Sequence, residues 1–199
     1  MALVANLEYR KLKRWSQSQI ARAKPIGAEL FRTVGPRYTA PAEIESGIGG
    51  YRANGRWCRL KIARILYLSV EPETALRESN EHARRRNLPL WGQMPKVVIA
   101  MRVDANLILD LNDSAVIASL PVSMPQLFGD WRSDNQMGGE SISQALGRAA
   151  VATGWNGLRV PSAVDPSGVN IVLFNPNSSG ATARVLNPEL LEKLGEPTI

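Results

Sequence analysis

The spacing of apolar and polar positions divides the chain into short elements of two periods. Residues 8–23 place Leu12, Trp15, Ile20 and Ala23 along a basic stretch, which predicts an amphipathic helix ended by Pro25. Glu29–Val34 reads as a short strand, followed by a Gly- and Pro-rich loop from Gly35 to Gly50 that continues through the turn signal Ala53-Asn54-Gly55. Arg64–Val70, with Ile65, Leu66 and Leu68, predicts a strand. Glu73–Arg86 predicts a helix with Glu73/Arg77 and Glu81/Arg85 pairs, opened by Pro72. Lys96–Asp104 and Asn106–Leu111 read as two strands, and Ser114–Leu120 and Ser123–Trp131 as short helical turns and loops. Ser141–Thr153 is a helix stopped by Gly154. Three strands follow, Gly157–Val164, Val169–Asn175 and Ala181–Leu186, the first two joined by the turn Pro166-Ser167-Gly168.

Strands gather toward both ends of the chain, and helices do not alternate strictly with them. This pattern predicts an α+β fold with mainly antiparallel sheets and flanking helices rather than a doubly wound sheet. At 199 residues, the length fits one domain spanning 1–199, with no internal repeat. No apolar run approaches the roughly 18 residues of a membrane span, and the first residues lack the apolar core of a secretory signal, so a cytoplasmic protein is expected. The lone cysteine, Cys58, rules out an intramolecular disulfide framework, and one His beside one Cys is too few for a His/Cys metal site.

The net charge of +6 comes from six lysines and eighteen arginines against 18 acidic residues. An arginine-heavy balance suits phosphate, whether on nucleic acid or a small molecule, and also an acidic protein partner or simple solubility. The basic stretch Arg10–Lys24 and the run Arg84-Arg85-Arg86 keep a nucleic-acid-binding module open as a reading, although no recognition motif accompanies them. Neither GxGxxG nor GxxxxGK[ST] is present.

Individual residues carry plain readings on their own. Arg32 follows Leu30-Phe31 in a strand, a costly place for a charge without a partner. Tyr67 points away from Leu66 and Leu68 and reads as a half-buried strand residue. Glu78 has His82 rather than an arginine at i+4, and otherwise reads as a solvated helix residue. Ser162 has no GxSxG elbow, and His82 is the sole histidine, so a nucleophilic serine fits poorly. Trp57, Trp91, Trp131 and Trp155 read as packing residues, and Cys58 as a small buried hydrophobe.

Taken together, several segments resemble the RES family. They are Leu30-Phe31-Arg32, Asn54-Gly55-Arg56-Trp57, Leu66-Tyr67-Leu68-Ser69 with Ala75-Leu76-Arg77-Glu78, and Gly157-Leu158-Arg159-Val160-Pro161-Ser162-Ala163. Gln144-Ala145-Leu146-Gly147 and Asn170-Ile171-Val172-Leu173-Phe174 continue the match, which covers about residues 29–176. The resemblance implies an ADP-ribosyltransferase-like fold and NAD+ as substrate rather than as a resident cofactor. It implies a bacterial cytoplasmic toxin of a toxin–antitoxin system, cleaving the nicotinamide–ribose bond by hydrolysis or phosphorolysis, or transferring ADP-ribose to a protein. The implied partner is a helix-turn-helix, Xre-like antitoxin whose C-terminal segment blocks the cleft, with no direct nucleic-acid or membrane partner.

Carried over by position, the implied catalytic residues are Glu78, Arg32, Tyr67 and Ser162, and the implied NAD+-binding residues are Arg32, Arg56, Tyr67 and Ser162. The chemistry is coherent. A carboxylate beside the ribose would stabilise the positive charge that develops as the glycosidic bond breaks. Arginines would clamp the pyrophosphate, the Tyr67 ring would stack on nicotinamide, and the Ser162 hydroxyl would hydrogen-bond the substrate. Two departures from the family pattern concern substrate positioning. Thr33 follows Arg32 where an aromatic residue is expected, and Cys58 follows Trp57 where Asn is common.

Overall fold

The structure is a computed structural model that describes residues 4–84 and 95–195, without the side chains of 82, 83 and 192–195. In chain order the elements are α1 (Tyr9–Ser18), β1 (Lys24–Val34), α2 (Pro41–Ser46), α3 (Ile48–Arg52), β2 (Ile65–Ser69), α4 (Pro72–Arg84) and β3 (Val97–Asp110). They continue as α5 (Ser114–Ala118), α6 (Met124–Leu127), α7 (Trp131–Gln136), α8 (Ile142–Ala152), β4 (Gly157–Pro161), β5 (Val169–Phe174), β6 (Ala181–Val185) and α9 (Pro188–Gly195). The architecture is mixed α+β.

The strands run in the order β1-β2-β5-β4-β3-β6, and β1 also pairs with β3, which closes five of them into a ring with β6 alongside β3. The β3–β4 pairing is parallel, and the other pairings among the described residues are antiparallel. The ring is well knit on one side, where β1 and β3 pair from Lys24↔Ile108 to Val34↔Val97. It is barely closed on the other, where β1 meets β2 at Phe31↔Ser69.

β2, β4 and β5 are covered on both faces, which is why they read as nearly continuous apolar runs, whereas β6 and most of β3 alternate buried with exposed positions. Along β5, Ile171 and Leu173 join Leu66, Leu68, Met101 and Val103 in one core, while Val172 and Phe174 join Ile65, Leu109 and Leu158 in a second. The second core is covered by α8, with Leu146 and Ala149, and by α1, whose Leu12 and Trp15 pack on α8. The first core takes Ile44 of α2 and Leu191 of α9.

Four elements differ from the sequence expectation. Helix α1 stops at Ser18 and a 3-10 turn covers Ile20–Arg22, while Pro25 lies inside β1, which begins at Lys24 rather than Glu29. Pro25 sits at a register shift between Lys24 and Ile26, where its missing N–H breaks no ladder bond. The two strands expected over 96–111 are one, because β1 on one side and β6 on the other hold Asp104 and Ala105 extended, and β4 pairs the strand again from Ile108. The 35–55 loop contains two short helices, α2 and α3. The Glu73/Arg77 pair does not form, because Arg77 bonds Asp165 at 2.9 Å. Glu81 binds Arg84 instead, whereas Arg85, Arg86 and Trp91 lie outside the described residues.

Candidate functional site

A cleft of about 490 Å³ opens where β1 and β2 part, lined by β1, α3, the 53–57 loop, β2, α4, the start of α7 and the segment after β4. It brings together Arg32, Arg56, Tyr67 and Glu78, four of the five residues singled out in the sequence.

Arg32 bridges the parting strands. Its Nη1 donates to the Tyr67 carbonyl at 3.0 Å, and no carboxylate lies in ion-pair range among the described residues. Burial lowers its pKa from the ordinary arginine value, although a guanidinium stays charged under all working conditions. A half-buried cation without a counter-charge is a poor arrangement for stability and a good one for an anionic ligand.

Tyr67 projects into the cleft, on the face opposite Leu66 and Leu68. Its hydroxyl is buried with no hydrogen-bond partner of good geometry among the described residues. Burial is the main cause that pushes the phenol well above its ordinary pKa, and the Trp57 backbone and the charges of Arg32 and Arg56 only partly oppose it. Thr33 lines the same wall, and its hydroxyl is likewise buried without a partner among the described residues.

The loop carrying Arg56 is held from behind by α8. A capping box joins Ser141 and Gln144, and Gln144 Nε2 also donates to the Gly55 carbonyl and to Asn135 Oδ1, both at 2.9 Å. Gly147 lies against the Trp57 carbonyl and Gly55 against the Tyr67 hydroxyl, so closely that a Cβ at either position would overlap its neighbour. Gln144 and Gly147 thus hold the same loop from one turn of α8. Arg56 donates to the Gly129 carbonyl at 2.9 Å and lies 5.8 Å from the Phe128 ring centre, and Phe128 packs edge-on to Trp57. Cys58, 1% exposed, is packed behind this loop, and burial pushes its thiol up to about 11.

Glu78 stands on α4 and is held by neutral donors. Ser162 Oγ and Asn170 Nδ2 both donate to its Oε1 at 2.7 Å. Ser162 therefore sits behind the carboxylate, and the adjoining cleft wall is made by Pro161, Ala163 and Val164. That segment is clamped onto α4 by Asp165, which accepts from Thr74 Oγ1 at 2.6 Å and from Arg77.

Sequence reasoning passed over Asn170, Ser69 and the Trp131–Arg132 pair. Trp131 is a half-exposed cleft residue rather than a packing residue, with the Arg132 guanidinium 4.4 Å from its ring centre. The register Ser69↔Asn170, two polar residues opposed across apolar strands, is the signal that would have found the first two, and it exists only once the strands are paired.

A closed five-strand ring, split at one seam into a cleft that gathers Arg32, Arg56 and the restrained carboxylate of Glu78, defines an α+β domain with a candidate ligand site. The RES domain family matches residues 29–191, and the chain belongs to it. The match runs past β6 into α9, beyond the segment whose motifs were legible. The fold is similar to that of a chain in the crystal structure of the Mycobacterium tuberculosis MbcT–MbcA toxin–antitoxin complex, with a TM-score of 0.63 and 19% identity over 92% of this chain and 98% of that one. No curated protein sequence matches. No helix among the described residues is long and apolar enough to cross a membrane.

Proposed function

We propose that this protein is the toxin of a bacterial toxin–antitoxin pair and that it consumes NAD+ in the cytoplasm by cleaving the nicotinamide–ribose bond. The observation that carries this reading is Arg32, a half-buried cation without a carboxylate partner among the described residues, lining the same cleft as the carboxylate of Glu78. NAD+ offers an anionic pyrophosphate for the first and a ribose that turns cationic for the second. Membership in the RES family and the likeness of fold to a chain of a toxin–antitoxin complex support it. On this reading the fold is of the ADP-ribosyltransferase kind.

In the proposed reaction the bond between the nicotinamide nitrogen and ribose C1′ breaks, the electron pair leaves with neutral nicotinamide, and the ribose carries positive charge. Glu78 stabilises that charge and holds a ribose hydroxyl. Arg32 and Arg56 bind the pyrophosphate, the Tyr67 ring supports the nicotinamide, and the hydroxyls of Tyr67 and Thr33 offer hydrogen bonds to polar groups of the substrate. Water or phosphate then adds at C1′. Transfer to a protein side chain shares the first half of this sequence and is the nearest variant. The partner is a helix-turn-helix, Xre-like antitoxin whose C-terminal segment occupies the cleft and places its carboxylate on Arg32 and Arg56.

Incubating the purified protein with NAD+ should release free nicotinamide. Expressed alone in bacteria it should stop growth as cellular NAD+ falls, and co-expression of the neighbouring antitoxin gene should restore growth. Soluble protein that leaves NAD+ and growth untouched would refute the proposal. Radiolabel moving from NAD+ onto protein rather than into free ADP-ribose would select the transferase variant.

A further inference from the structure

The Glu78 carboxylate is held asymmetrically. Oε1 accepts from both Ser162 Oγ and Asn170 Nδ2, whereas Oε2 has no donor among the described residues. Each donor is itself fixed. Ser162 Oγ accepts from the Val164 and Asp165 N–H groups at 3.2 and 3.1 Å, so its proton is directed at Glu78. Asn170 Oδ1 accepts from Ser69 Oγ at 2.8 Å, which orients the amide with its NH2 group toward Glu78. Ser69 and Asn170 face each other across the β2–β5 pair, where side chains on one face are neighbours.

We propose that Asn170, oriented by Ser69, is a positioning residue: with Ser162 it saturates Oε1 and so presents Oε2 as the oxygen that meets the ribose. The inference rests on the NAD+-cleavage reading above. Neutral donors suit this task. They restrain the side chain without cancelling its charge, whereas a lysine or arginine in the place of Asn170 would spend that charge on an ion pair. Precise placement is what the arrangement supplies, and reaction rates are sensitive to displacements of about 1 Å.

The sharpest test is Asn170→Asp, nearly the same shape, which sets a second carboxylate against the first. Two such groups cannot both ionise readily and titrate as a coupled pair. Nicotinamide release followed between about pH 5 and 9 should show the acid limb of N170D shifted upward by about one unit or more. N170A should lower kcat by roughly 10- to 100-fold with little change in KM for NAD+, and S69A should lower it less, in the same direction. Wild-type pH profiles and kcat in N170D and N170A would overturn the proposal, and N170A and S69A carry the test alone should N170D fail to fold. Carboxyl-carbon NMR supplies an arm that needs no turnover. The two carboxyls of N170D should titrate in two separated steps, and independent titration would also overturn the proposal. A wild-type protein that leaves NAD+ intact, beside coupled titration in N170D, would refute the NAD+ reading and remove the ribose as the partner of Oε2.

Discussion

Glu78 and Glu140 are two glutamates each at the centre of a hydrogen-bonded hub, held in opposite ways. The Glu140 side chain is 0% exposed and neutralised: Arg148 binds it through two bonds of 2.8 and 2.7 Å, Arg59 approaches to 3.6 Å, and the Asn6 N–H donates at 2.9 Å. Arg148 in turn lies 3.4 Å from the Tyr9 ring centre, so the hub ties the N-terminal segment to α8 and to the loop behind the cleft. Glu78 has no cation in ion-pair range among the described residues and is restrained by Ser162 and Asn170. Neutralised charge is structural. Restrained but uncompensated charge is available for chemistry, and the surroundings of the two glutamates, not their residue type, divide the roles.

The first way to break this contrast is Glu140→Ala. It strands Arg148, 19% exposed, beside a lost counter-charge and should destabilise the fold by about 3–5 kcal/mol in chemical denaturation. Glu78→Gln should do the reverse. Stability stays near wild type, while NAD+ cleavage falls by about 10²- to 10³-fold or more, roughly 2.7–4 kcal/mol of barrier. Normal nicotinamide release from folded E78Q would remove the catalytic assignment. Arg32→Ala should weaken NAD+ binding by about 1.5–3 kcal/mol, read as a rise in KM, because a charge-assisted contact is lost. Arg56→Ala should act in the same direction. Unchanged affinity in both variants would make these arginines structural.

The smallest effect concerns Asp165, which clamps the Ser162 segment. The Thr74 hydroxyl first, and the Arg77 guanidinium with Ser167 besides, hold its pKa below the ordinary 3.8. The stability this contributes is complete above the ordinary carboxylate value and is lost as pH falls through the lower folded value. Asp165→Asn should therefore lower stability modestly at neutral pH, converge on the wild type at low pH where the carboxyl is protonated, and so flatten the acid end of the stability–pH curve. A curve that keeps its acid slope would assign that slope to other carboxylates.

Legibility in the sequence followed the range of the forces involved. Helix α8 was readable because Ser141, Gln144 and Gly154 mark its ends locally. The turn at 166–168 was readable for the same reason. β3 reads as two strands in the sequence because Asp104 and Asn106 are turn formers, and only its lateral partners, β1, β4 and β6, hold it extended. Arg77 was assigned to Glu73, its helical neighbour, but a carboxylate 88 positions away won it. Among the cleft residues, Arg32 announced itself as a charge in an apolar run. Trp131 did not, since an aromatic side chain reads the same in a core and in a cleft wall.

What the sequence determined by itself was the class of elements, the family, and the identity of Arg32, Arg56, Tyr67, Glu78 and Ser162 as a set. These depend on local periodicity, capping and motif order, which the chain carries along its own length. Only the tertiary structure decided that Ser162 stands behind Glu78 rather than in the cleft wall, that Asn170 and Ser69 complete the carboxylate's cradle, and that Glu140 rather than Glu78 is the neutralised one. Each of these is a contact between side chains far apart in the chain. A hydrogen bond or ion pair has a range of a few ångströms, so its partner is chosen only when strand register and helix packing have brought the two together.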